Sequence, residues 1–148
     1  MTLHEKIIDA AKDAQKAGDE GRLATLRLLL SELHNREIEK RTKGEPPALT
    51  DDDARAVFQK EAKKREEAIA LFEKGGRQDL AEKEKKELDR IREYLPPPMS
   101  RGEIEAVVRG LKDEGLSDFQ SLIKEAMKRL KGRASGQLVS DVVKEALR

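Results

Sequence analysis

The sequence predicts an all-α protein, and three observations carry that prediction. Charged residues make up 41% of the 148 positions and aromatic residues only 3%, the profile of amphipathic helices rather than of a sheet. Apolar residues recur every three or four positions throughout, and no stretch alternates as a half-buried strand does. Helix starts and stops punctuate the chain at regular intervals. High charge with low hydropathy can also mean disorder, but the net charge is only +1 and the periodicity is strong.

Five places have the spacing of a capping box, in which an N-cap oxygen serves an orphan amide three residues on: Thr2 with Glu5, Thr50 with Asp53, Asp79 with Glu82, Ser100 with Glu103 and Ser117 with Gln120. Asp19 and Ser135 add two further starts, giving seven helices. Stops are expected at Gly75-Gly76, Gly115 and Gly132, where a left-handed residue is wanted. Between these limits the apolar stripes run Leu3, Ile7, Ala11; Leu23, Leu26, Leu30, Leu33; Phe58, Ala62, Ile69, Phe72; and Leu80, Leu88, Ile91, Leu95. Three more follow: Ile104, Val107, Val108, Leu111; Phe119, Leu122, Ile123, Met127, Leu130; and Leu138, Val139, Val142, Val143.

Pro96-Pro97-Pro98 cannot continue a helix and holds the chain extended. We therefore expect an elongated N-terminal helical domain over residues 1–98 and a small C-terminal three-helix bundle over 99–148. The C-terminal block holds two more basic than acidic residues while the N-terminal block is slightly acidic, which favours the former as an anion binder.

Most catalytic chemistry is excluded by composition. There is no Cys, hence no disulfide, thiolate metal site or cysteine nucleophile. His4 and His34 are the only histidines and have no His or Cys at ligand spacing, so no cofactor is expected. His34, one turn from Leu30 and Ile38, reads as a half-buried, hydrogen-bonded residue. Neither GxGxxG nor GxxxxGK[ST] occurs. Asp51-Asp52-Asp53 fits the first turn of a helix, where acids complement the dipole, better than a Mg²⁺ site. No apolar run is long enough to cross a bilayer, and a cytoplasmic, membrane-free protein is expected.

Arg27 and Arg65 fall on apolar faces, where their stems could cover core while the guanidinium groups pair with acids such as Glu84 or Glu87. The remaining constellation is cationic. Lys124, Lys128 and Lys131 lie along one flank of the sixth helix, Arg129 and Arg133 extend the patch, and Gly132, Ser135 and Gly136 bring the last helix start beside it. Such a turn suits a phosphate clasp; equally, basic residues at a helix C-terminus offset its dipole.

The segments Lys64-Arg65-Glu66-Glu67-Ala68-Ile69, Arg77-Gln78-Asp79-Leu80, Glu87-Leu88 and Tyr94-Leu95-Pro96 resemble those of free-standing members of the GatB/YqeY family. So do Leu26-Arg27, Glu32-Leu33, Asn35 and Glu37-Ile38. The C-terminal block is similar to the tail of the B subunit of glutamine-dependent tRNA amidotransferase. In that family the last bundle carries a Lys-Gly-Lys-Ala-Asp type turn, here Lys131-Gly132-Arg133-Ala134-Ser135. The change to Arg keeps the charge, and the change to Ser keeps an N-cap but removes a carboxylate. The resemblance implies a non-catalytic accessory protein that engages tRNA or a tRNA-bearing complex. Carbon–nitrogen ligase chemistry with glutamine as donor resides in domains without a counterpart in this chain. The alternative is an adaptor that docks a protein partner through its N-terminal helices.

Overall fold

The computed structural model describes residues 1–130 and 133–148. Among them the chain forms seven helices: α1 (Leu3–Ala17), α2 (Glu20–Thr42), α3 (Asp51–Lys74), α4 (Gln78–Arg92), α5 (Arg101–Asp113), α6 (Phe119–Arg129) and α7 (Gly136–Ala146). The chain divides into two compact units, Met1–Leu95 and Pro96–Arg148, each with its own apolar core.

Local side-chain chemistry sets most of the helix starts. Thr2 and Thr50 form full capping boxes with Glu5 and Asp53, and Asp19, Ser100 and Ser135 accept the amides of Arg22, Glu103 and Leu138. Two starts differ from expectation. Helix α4 begins with Arg77 as a cap whose side chain makes no capping bond to the helix backbone, because Gly76 at φ 73° turns the chain early enough for the helix to start there. Asp79 then lies inside the first turn, where the Arg77 guanidinium grips it with two bonds of 3.2 and 3.1 Å and holds its carboxyl below the usual range. Helix α6 is capped by Asp118 rather than Ser117: the carboxylate accepts from Ser121 N at 3.0 Å, and an anion outcompetes a hydroxyl at the positive end of a helix. The expected stop at Gly132 lies outside the described residues.

In the N-terminal unit, Leu3, Ile7, Ala11 and Ala14 of α1 pack with Leu26, Leu29 and Leu33 of α2, Ala54, Phe58 and Ala62 of α3, and Leu88 and Ile91 of α4. Phe58 meets Tyr94 at a ring-centroid distance of 6.2 Å, tilted by 57°, a favourable aromatic geometry. The buried stripe of α2 thus runs through Leu26, Leu29 and Leu33, with Leu23 and Leu30 at its edge. That rotation corrects two expectations. Arg27 is exposed rather than laid over the core, and His34, 68% exposed, is not a half-buried residue.

Polar ties set the helix register. Asp51 Oδ1 accepts from Leu3 N at 2.8 Å, fastening the start of α1 to the start of α3. Lys40 is buried; its ammonium donates to Ala48 O at 2.8 Å and pairs with Asp53 at 2.7 Å, closing the loop between α2 and α3. Arg36 approaches the other Asp53 oxygen at 3.5 Å. The Lys40 ammonium first, and then the Thr50 amide, hold the Asp53 carboxyl down to about 2. A depressed carboxyl stabilises the fold above its unfolded pKa near 4, and that contribution disappears as pH falls towards about 2. In urea titrations between pH 5 and pH 2 the wild type should lose roughly 1 kcal/mol more than Asp53→Asn, a figure discounted for the solvated rim of the site. Equal losses would show that the pair does not couple folding to pH.

At the other end of this unit, Arg22 makes a two-pronged pair with Glu93 at 2.7 and 3.2 Å. Arg90 donates to Gly21 O at 3.1 Å and Thr25 Oγ1 at 3.3 Å. Together they clasp the end of α4 to the start of α2.

Candidate nucleic-acid interface

The C-terminal unit is held by Ile104, Val108 and Leu111 of α5, Leu122 and Ala126 of α6 with Leu130 just beyond it, and Val139, Val142 and Val143 of α7. On α6 the buried positions Leu122 and Ala126 are one turn apart, so residues two further on, Lys124 and Lys128, project from the opposite side. Both are exposed, and neither has an ion-pair partner among the described residues.

The other candidate residues divide unevenly. Arg129 is engaged by Glu114 at 3.1 Å and by Glu125 at 3.7 Å, so its charge is offset within the unit, contrary to the expected extension of the patch. Arg133 is exposed; its carbonyl accepts from Met99 N at 2.9 Å, fixing the chain just before α7. Ser135 Oγ accepts from Leu138 N at 3.2 Å, which leaves the amides of Gly136 and Gln137 at the front of α7 without a partner among the described residues. Lys131 and Gly132 lie outside the described residues.

One further residue belongs to this surface and was not expected there. The sixth stripe places Met127 in the core, but it is 40% exposed. Leu122, Ile123, Ala126 and Leu130 fill the core-facing side, and Met127, one position past Ala126, rotates onto the flank beside Lys124 and Lys128. The apolar pattern alone could not separate it from Ile123, since both lie at the edge of the stripe.

Some cations elsewhere are matched by acceptors. A groove of about 290 Å³ between α5 and α7 is lined by Glu105, Arg109, Lys112, Val142, Glu145 and Ala146. There Lys112 Nζ donates to Ala146 O at 2.6 Å, at the negative end of α7, and Arg101 pairs with Glu145. In the N-terminal unit Arg65 pairs with buried Glu61 and lies 3.4 Å from Glu87, whereas Glu84 has no ion pair among the described residues. The structural role expected of Arg65 therefore has a geometric basis, with Glu61 as the nearer partner. Both histidines stand beside one carboxylate: His4 Nδ1 is 3.6 Å and His34 Nδ1 4.0 Å from Glu37. Among the described residues no group of three or more side chains is arranged to hold a metal ion, and no helix is long and apolar enough to cross a membrane.

Known proteins match nearly the whole chain. It is 38% identical over 94 residues, 64% of its length and 69% of the relative's, to an uncharacterised protein of Schizosaccharomyces pombe. It is also similar to proteins named altered inheritance of mitochondria protein 41, mitochondrial. For the one from Lachancea thermotolerans the identity is 33%, covering 88% of this chain and 71% of the relative. For the one from Pyrenophora tritici-repentis it is 28%, covering 92% and 76%. The family described as Yqey-like protein matches residues 4–147, and with that coverage the chain belongs to the Yqey-like family.

Proposed function

We propose that the protein is a non-catalytic RNA-binding accessory protein whose C-terminal unit contacts the phosphates of tRNA or of a tRNA-bearing complex. The observation that carries this reading is the pair Lys124 and Lys128, exposed on the side of α6 opposite its core face, with Arg133 leading into the start of α7. Arg129 is placed against acids and serves the fold; these three form no ion pair among the described residues and keep their charge for a ligand. Similarity of the C-terminal block to the amidotransferase B-subunit tail points the same way and supplies the class of RNA. A net charge of +1 argues for a few defined phosphate contacts rather than a polycationic coat, so affinity should be modest and salt-sensitive.

Binding of labelled tRNA measured across a salt series tests this. Each lost phosphate contact flattens the log–log salt slope by about 0.7–0.9. Lys124→Ala, Lys128→Ala and Arg133→Ala should each weaken binding several-fold and flatten the slope by about that amount, whereas Arg129→Ala should do neither. Unchanged affinity in all three variants would remove the interface.

A further inference from the structure

We infer that the RNA feature taken by this surface is an unpaired nucleotide whose base packs on the Met127 side chain. The inference rests on the RNA-binding reading above and specifies its ligand.

Met127 lies on α6 between its core face and the face that carries Lys124 and Lys128, three residues after the first and one before the second, so both lysines flank the thioether on its outer side. At 40% exposure it is, with Leu147, one of two large apolar side chains exposed on this unit among the described residues. Its far side abuts the start of α7. A Cβ built on Gly136 would lie 3.3 Å from Met127 Cε, so the absence of a side chain at 136 leaves the thioether a recess against bare helix backbone. The result is an apolar floor with the two lysines along one edge and the α7 backbone as a wall on the other.

A duplex does not use such a floor. In an A-form helix the phosphates could reach the lysines, but the apolar thioether would then face a charged, hydrated sugar–phosphate strand and add nothing favourable. An unpaired base has an exposed π face to place on it while its flanking phosphates reach Lys124 and Lys128. Proteins ordinarily supply aromatic rings for this contact. This unit has a single aromatic residue, Phe119, and it is packed against the core. A soft, polarisable methionine makes the equivalent contact with an aromatic face.

The test uses the full-length protein and two labelled RNAs of equal phosphate number, a hairpin with an open loop and a blunt duplex, titrated by fluorescence anisotropy at several salt concentrations. The wild type should prefer the hairpin. Met127→Ala should weaken hairpin binding about five- to tenfold, leave duplex binding alone and leave the salt slope unchanged, because stacking releases no counterions. Met127→Leu, which keeps the apolar floor, should recover most of the loss, and the melting curves of both variants should match wild type because the residue is exposed. An unchanged hairpin affinity in Met127→Ala, or an equal loss on both RNAs, would overturn the base contact. If Lys128→Ala still weakens binding in that case, the phosphate interface survives without it. A wild type that binds neither RNA overturns both readings together.

Discussion

Arg65→Ala will destabilise the N-terminal unit by about 3–5 kcal/mol, because it strands a buried carboxylate. Glu61 is only 3% exposed, and its oxygens are held by Arg65 on one side and by Lys64 at 3.1 Å on the other. The lysine contact remains in the variant, which places the expected loss towards the lower end of that range. Removing both partners, Glu61→Leu with Arg65→Leu, should fall closer to wild type than Arg65→Ala does, since no charge is then left without a partner in the interior. Urea unfolding followed by circular dichroism measures all three. A double variant no more stable than Arg65→Ala would show that the stranded carboxylate is not the source of the loss.

Leu122→Ala should unfold the C-terminal unit while leaving the N-terminal one standing. Leu122 is fully buried at the centre of the three-helix core, and deleting such a side chain costs about 2–5 kcal/mol. A bundle of this size has a total stability of roughly the same magnitude, so the substitution removes most or all of it. A fragment spanning residues 96–148 should therefore melt cooperatively, the same fragment with Leu122→Ala should show no transition, and the full-length variant should retain only the N-terminal transition. It should also lose RNA affinity. A full-length Leu122→Ala protein with a single, wild-type-like transition would mean that the two units do not fold separately.

What could be read from the sequence is what is local. Thr2, Asp19, Thr50, Ser100 and Ser135 cap as expected because an N-cap and the amide it serves are three residues apart, and no distant partner decides the outcome. Where two acceptors sat side by side, as at Ser117 and Asp118, spacing could not choose between them, and charge did. Arg27 and His34 were misplaced for a related reason. Leucines occupy nearly every position from 26 to 30 of α2, so more than one rotation offers an apolar face, and only the helices packed against α2 select Leu26, Leu29 and Leu33. Lys40 with Asp53 was invisible because the pair depends on how the loop between α2 and α3 closes. Glu61 has nothing in its sequence context to set it apart from the exposed acids of a charge-rich helix, and its burial comes from the packing of α3. In the candidate interface, the lysine spacing on α6 was legible from periodicity, whereas the neutralisation of Arg129 by Glu114, fifteen residues away, required the packing of α6 beside the end of α5.

Two glycines on exposed helix surfaces carry opposite lessons for engineering this chain. At Gly110 nothing lies within 4 Å of an added Cβ, so alanine there trades backbone freedom for helix propensity at no steric cost, a gain of about 1 kcal/mol. At Gly21 the same exchange would place the methyl group 2.7 Å from Arg90 Nη2 and push the guanidinium off the Gly21 carbonyl and the Thr25 hydroxyl. A uniform glycine-to-alanine scheme would thus strengthen α5 while costing Arg90 its two bonds to α2, although neither position looks constrained by its solvent exposure.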